Sequence, residues 1–152
     1  MEKIELVPYF NESLFIPALR AKTKEGVLEE LVESFVQARI IRNPAIILEM
    51  LHRREQLGST GIGHGIAIPH GRTTAAPELM IGFGHSKTGI DWQAMDGRPV
   101  HLIFMVLAPP QEQNNRYLPV LGRLVEILSD SRQLDKFHSV TTFSDFTNLL
   151  KG

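Results

Sequence analysis

Val100-His101-Leu102-Ile103-Phe104-Met105-Val106-Leu107-Ala108 decides how this 152-residue chain is built. A strand with one wet face alternates apolar and polar side chains, and this run hardly alternates, so it reads as a strand covered on both faces. Extended to Pro110 it is still far short of the roughly 20 residues that a bilayer-crossing helix needs. A doubly covered strand requires a helical layer above it and another below. The expected architecture is a single-domain layered α/β fold, with helices on both faces of a sheet, over residues 1–152.

Working outward, Leu79 to Ser86 reads as a second strand, and Thr88-Gly89 and Asp96-Gly97 mark turns between the two. Toward the N-terminus, Thr23 can cap a helix whose Val27, Leu28, Leu31, Val32, Phe35 and Val36 recur at helical spacing. Asn43-Pro44 supplies a cap followed by proline at the first helical position. Ile46, Ile47, Met50 and Leu51 then carry an apolar stripe toward Arg53-Arg54-Glu55. That helix delivers Arg54 to the edge of a glycine-rich loop. Beyond the long strand, Leu118, Leu121, Val125 and Leu128 predict a third amphipathic helix. Pro119 must lie in its first turn, because farther in it would cost about 3 kcal/mol, and this places Tyr117 at the helix entrance. Ser144-Asp145 predicts a cap for a last short helix through Leu149 and Leu150.

Composition narrows the chemistry. Without cysteine the chain has no disulfide, thiolate metal site or thiol nucleophile, which fits a reducing cytoplasm. Sixteen basic against 17 acidic residues offer no excess field for nucleic acid or anionic lipid. The opening MEKIELVPYF lacks the charged and apolar regions of a signal peptide, and membrane insertion is not expected.

Five of the 12 glycines fall within Gly58-Ser59-Thr60-Gly61-Ile62-Gly63-His64-Gly65-Ile66-Ala67-Ile68-Pro69-His70-Gly71. Glycines let successive backbone N–H groups converge on an anion, and the Ser59 and Thr60 hydroxyls are further donors. Pro69 should interrupt strand pairing after Ile66-Ala67-Ile68. Gly58 to Gly63 has the Walker spacing, but His64 stands where lysine is needed, and the dinucleotide pattern is absent as well. Two histidines, Arg54 and Arg72 nearby, and no carboxylate between Gly58 and Gly71 favour an anion over a divalent metal. A zinc pair of His64 and His70 lacks the ligands to complete it. Neutral imidazole is a nucleophile near pH 7 and a good leaving group once phosphorylated. His70 is the better placed of the two, since Pro69 restricts the backbone before it and Gly71 leaves its approach open. His52, His85, His101 and His138 have no comparable setting and read as structural or exposed.

Arg54-Glu55-Gln56-Leu57-Gly58-Ser59-Thr60-Gly61-Ile62-Gly63, followed by Gly65-Ile66-Ala67-Ile68-Pro69-His70-Gly71, resembles the signature of type-2 EIIA domains of the bacterial phosphoenolpyruvate-dependent phosphotransferase system. Within that fructose, mannitol and nitrogen-regulatory group, the similarity is greatest to the nitrogen-regulatory proteins, and it extends over nearly all of the chain. It implies a five-stranded mixed sheet flanked by helices. It also implies that His70 is the phosphorylated residue, with Arg54 beside it to offset charge. The expected donor is a histidine phosphocarrier protein of HPr or NPr type, and the expected acceptor is an EIIB domain or a regulatory target. No cofactor or metal is required.

The sequence departs from the family pattern at two points. His64 stands where many members have asparagine or aspartate, and Tyr117 falls where many carry a second active-site histidine. The expected phosphoryl-binding set around His70 and Arg54 is therefore Ser59, Thr60, His64 and Tyr117. The alternative expectation is a regulatory interaction module that keeps the fold but transfers phosphate weakly or not at all.

Overall fold

The computed structural model describes residues 4–112 and 114–151. The ends of the expected 1–152 domain, and with them the first residues of the opening stretch, lie outside the described residues. In chain order the strands are β1 (Phe10–Ile16), β2 (Gly61–Gly63), β3 (Ile66–Ala67), β4 (His70–Arg72), β5 (Met80–Ile90) and β6 (Val100–Ala108). The helices are α1 (Lys24–Gln37), α2 (Pro44–Gln56), α3 (Tyr117–Leu128), α4 (Ser131–Phe137) and α5 (Phe143–Leu150).

The strands make one mixed sheet ordered β1-β5-β6-β3-β2, with β4 also beside β6. Ile66 lies opposite Leu102, and His70 opposite Val106, so β3 and β4 are two halves of one strand position. Six strands thus occupy the five expected positions. The break at Ile68-Pro69 has a local cause. Proline has no N–H to give the ladder, although its carbonyl still accepts from Val106 N at 2.9 Å, and the Ile68 N–H turns away to Thr60 O at 3.0 Å.

The long strand is covered on both faces, as its composition demands. Leu102, Phe104, Val106 and Ala108 face the layer of α3, α4 and α5. Ile103, Met105 and Leu107 face α1 and α2. Each face excludes water from side chains worth about 1.5–3 kcal/mol apiece when fully buried, and that drives the sandwich together.

Several local expectations need correction. Thr23 caps α1 through Gly26 N, and Pro44 opens α2, but the Asn43 side chain makes no capping bond. Thr142 rather than Ser144 caps α5, accepting from Asp145 N at 3.1 Å. Asp96-Gly97 does form a turn, closed by Gly97 N to Ala94 O at 2.9 Å. Thr88-Gly89 instead lies within β5, where the register with β6 becomes irregular. Helix α4 and the bulged strand β1 have no counterpart in the periodicity analysis.

The face of α3 is also turned. Tyr117, Val120, Leu124, Ile127 and Leu128 are its buried residues, whereas Leu118 and Val125 are exposed. Apolar residues occupy both three-four series on this helix, so spacing alone cannot choose between them.

At the far end of the sheet from His70, three histidines meet edge to face. The His85 and His138 ring centroids are 5.9 Å apart, and those of His101 and His138 are 5.8 Å apart. Burial lowers the pKa of His85 and of His138 below the ordinary 6.5 and the neighbouring imidazoles lower both further, opposed at His85 by the hydrogen bond to Pro17 O and at His138 by Asp135. The unfolded chain therefore binds more protons as pH falls through 6.5. Stability is complete above that value and declines below it, until the folded histidines also charge. The urea midpoint should be lower at pH 5.5 than at pH 7.5, and His138→Gln should shrink the difference. Equal midpoints in the wild type would refute this.

Candidate functional site

β4 is bonded to β6 on one side only, so His70 stands at a sheet edge between the two helical layers. Side chains alternate along a strand, so His70 and Arg72 share one face and Gly71 has the other. The shared face meets Tyr117. The His70 and Tyr117 ring centroids are 6.4 Å apart, and the Arg72 guanidinium carbon is 4.6 Å from the Tyr117 ring.

The opposite face explains Gly71. A Cβ at this position would overlap Met50 Sδ. Met50 and Arg54 are one turn apart on α2, so the close seating of β4 against Met50 brings Arg54 to the same edge as His70. The clash is with the flexible end of a half-buried methionine that can swing aside, so Gly71→Ala should cost only about 1 kcal/mol, the low end for overpacking, and adding Met50→Ala should recover part of that loss. A urea double-mutant cycle checks it: additive costs would remove the steric explanation.

His70 Nδ1 lies 2.6 Å from Ile68 O. A carbonyl oxygen can only accept, so Nδ1 is the donor and the Nε2 lone pair is left for other chemistry. Burial pushes the Tyr117 hydroxyl up to about 12, against the opposing influence of Arg72 and Arg54. The phenol is neutral throughout the physiological range. Arg54 Nη1 donates to Gly58 O at 2.8 Å and so ties the helix end to the start of the loop.

The two loop hydroxyls are engaged within the protein. Ser59 Oγ donates to Trp92 O at 2.8 Å and accepts from Gly61 N at 3.0 Å. Thr60 Oγ1 donates to Glu55 Oε1 and accepts from Trp92 Nε1 at 3.0 Å. A hydroxyl has a single proton to donate, so neither retains a donor for a bound anion in this arrangement. Their evident work is to hold the loop against Trp92. Glu55 completes this network, accepting from Lys24 Nζ at 2.8 Å and from Thr60 N at 3.2 Å. Spacing along the chain gives Glu55 no role by itself: Thr60 is near in sequence, but Lys24 lies 31 residues before Glu55, and Trp92, which bonds the same threonine hydroxyl, lies 32 residues beyond Thr60.

His64 does not join His70, contrary to expectation. Its N–H donates to Asp96 Oδ2 at 2.9 Å, and it borders a groove of about 330 Å³ with Ile62, Val125 and Leu128. Val125 and Leu128 belong to the C-terminal end of α3, whereas Tyr117 beside His70 begins that helix, roughly 16 Å away at the helical rise. The same separation keeps His64 and His70 from sharing a ligand. Two apolar side chains next to site residues are exposed: Leu57, at the end of α2 that carries Arg54, is 85% accessible, and Leu118, which follows Tyr117, is 66% accessible.

Comparison with known proteins adds four findings. The family described as "Phosphoenolpyruvate-dependent sugar phosphotransferase system, EIIA 2" matches residues 8–152. The chain is 40% identical over 110 residues to the fructose-specific EIIABC component of Bacillus subtilis, covering 72% of this chain and only 17% of that protein. It is 35% identical over 115 residues to the nitrogen regulatory protein of Bradyrhizobium diazoefficiens, covering 76% of this chain and 74% of that one. Among solved structures, nitrogen regulatory protein IIA-Ntr from Neisseria meningitidis is similar with a TM-score of 0.86 at 28% identity, covering 94% of this chain and 97% of that chain. Among the described residues no helix is long and apolar enough to cross a membrane.

Proposed function

This chain belongs to the EIIA 2 family of the phosphoenolpyruvate-dependent sugar phosphotransferase system, and on that premise we propose that it is a phosphocarrier whose His70 Nε2 receives and passes on a phosphoryl group. The observation that carries the reading is the Nδ1 contact with Ile68 O, which fixes the tautomer. The Nε2 lone pair forms the new P–N bond, while the P–N bond to the donor's histidine breaks and its electron pair returns to that imidazole. Nδ1 keeps its proton throughout, so transfer in either direction needs no separate acid or base. Phosphorylation makes the ring cationic, which strengthens its bond to Ile68 O.

Arg54 offsets the charge of the phosphoryl oxygens from the α2 side. The donor in this reading is a cytoplasmic histidine phosphocarrier protein. The acceptor is an EIIB domain or a regulatory target, a pairing supported by relatives named both as EIIABC components and as nitrogen regulatory proteins. Exposed Leu57 and Leu118 suit a surface that must exclude water when two proteins bring their reacting groups together. The regulatory use of the same phosphohistidine is favoured by the nitrogen-regulatory relatives, which the chain matches over about three quarters of both lengths.

Incubation with phosphoenolpyruvate, Enzyme I and the histidine phosphocarrier should add about 80 Da, one acid-labile phosphoryl group, to the intact mass. Heteronuclear NMR should place it on Nε2. Attachment at Nδ1 would overturn the tautomer argument, and no adduct beside a working control would leave only the interaction-module reading.

A further inference from the structure

We propose that Arg72 is a second phosphoryl-binding cation of this site, and that Tyr117 is a positioning residue whose ring, rather than its hydroxyl, holds the guanidinium beside His70. The inference rests on the reading that His70 carries the phosphoryl group. The sequence offers Arg72 only as one of two cations near the loop; its place beside Tyr117 becomes visible when β4 and α3 meet.

Three observations converge. Arg72 follows His70 by two residues on an extended strand, so both side chains leave on the same face. Its guanidinium lies 4.6 Å from the centroid of the Tyr117 ring, within the range of a cation–π contact. Tyr117 is buried at the first position of α3 and faces His70 as well, so a single ring contacts both the cation and the nucleophile's neighbourhood. Among the described residues, no carboxylate lies within ion-pairing distance of Arg72. Its charge therefore remains available to an anion.

The hydroxyl makes the weaker claim. Among the described residues the Tyr117 hydroxyl makes no hydrogen bond to His70, whose ring hydrogen-bonds Ile68 O instead. Burial keeps the phenol protonated, so it adds no charge to the site. A flat aromatic face, by contrast, restricts a long and flexible arginine before the phosphoryl group arrives, and preorganised charge is what phosphoryl transfer needs. Guanidinium suits this arrangement better than ammonium, because it stacks on a ring and can still present a fork of N–H donors to phosphoryl oxygens.

The test measures the rate of His70 phosphorylation by the phosphorylated donor in the wild type, Arg72→Ala, Arg72→Lys, Tyr117→Leu, Tyr117→Phe and Arg72→Ala/Tyr117→Leu. Arg72→Ala should slow transfer about tenfold or more, mainly in kcat rather than KM. Tyr117→Leu should come close to it, and Tyr117→Phe should restore most of the rate that leucine loses. The double variant should be little slower than Arg72→Ala alone, since both changes remove one interaction. Arg72→Lys should recover part of the rate, because the charge remains without the stacking. If Tyr117→Phe is as slow as Tyr117→Leu, the hydroxyl is the working group and the proposal is wrong. An unchanged rate in Arg72→Ala also overturns it, and because Arg72 is exposed this variant stays informative even if Tyr117→Leu folds poorly. A wild type that never takes up phosphate would instead strike at the reading of His70 itself.

Discussion

His70→Ala should remove phosphoryl uptake completely: intact-mass measurement after incubation with phosphoenolpyruvate, Enzyme I and the histidine phosphocarrier should show about 80 Da on the wild type and nothing on the variant. Among the described residues, none of the other expected site side chains is placed to substitute. The Tyr117 phenol is held protonated by burial, His64 lies at the far end of α3, and Ser59 and Thr60 have their hydroxyls engaged with Trp92 and Glu55. The fold should survive, because His70 is only half-buried and its ring hydrogen bond to Ile68 O makes a net contribution of about 1 kcal/mol. Unchanged circular dichroism and a near-native urea midpoint would separate lost chemistry from lost structure. Residual acid-labile phosphate on His70→Ala would mean that another residue is the carrier.

Glu55→Ala should have the largest effect on stability. The Glu55 side chain is 8% exposed and its Lys24 partner 12% exposed. Removing one member of a buried ion pair leaves the other charge uncompensated, and the general cost is about 3–5 kcal/mol. Here the loss spreads further. The Thr60 N–H and hydroxyl lose their acceptor, and Trp92 Nε1 remains bonded only to a threonine that is no longer anchored. Denaturant unfolding should show a fall of about 3 kcal/mol or more. Lys24→Met/Glu55→Leu should recover a substantial part of it, because the double change removes both buried charges. If Glu55→Ala shifts the midpoint by less than about 1 kcal/mol, the pair behaves like a surface salt bridge and the network does not anchor the loop. Arg54 is the adjacent residue on α2, so a slackened loop should slow phosphoryl transfer as well. Transfer that is unaffected while stability falls would show that loop anchoring and charge placement are separable.

Much of the fold was legible because its strongest signals are local. The unbroken apolar run at Val100–Ala108 demanded cover on both faces, Thr23 announced α1, and Pro44 and Pro119 could only stand in the first turns of helices. The errors arose where local signals were degenerate. Asn43 and Ser144 have the chemistry of caps, but the chain path gives Asn43 no capping bond and lets Thr142 take the place of Ser144. On α3, apolar residues run along two neighbouring stripes, and only packing against the sheet selects the one that includes Tyr117 and Val120.

The candidate site divides along the same line. The family, the layered α/β architecture and His70 as the candidate nucleophile were all readable from residue order alone, because glycine, proline and histidine in a fixed order are covalent facts of one short segment. Tertiary structure decided what surrounds that histidine. It brought Arg72 and Tyr117 together across β4 and α3, gave Ser59 and Thr60 to a network reaching Lys24 and Trp92, and sent His64 to the opposite end of a helix. These relations depend on distances between segments far apart in the chain, and such distances are set by how the buried faces of sheet and helices fit together, which no spacing along the sequence encodes.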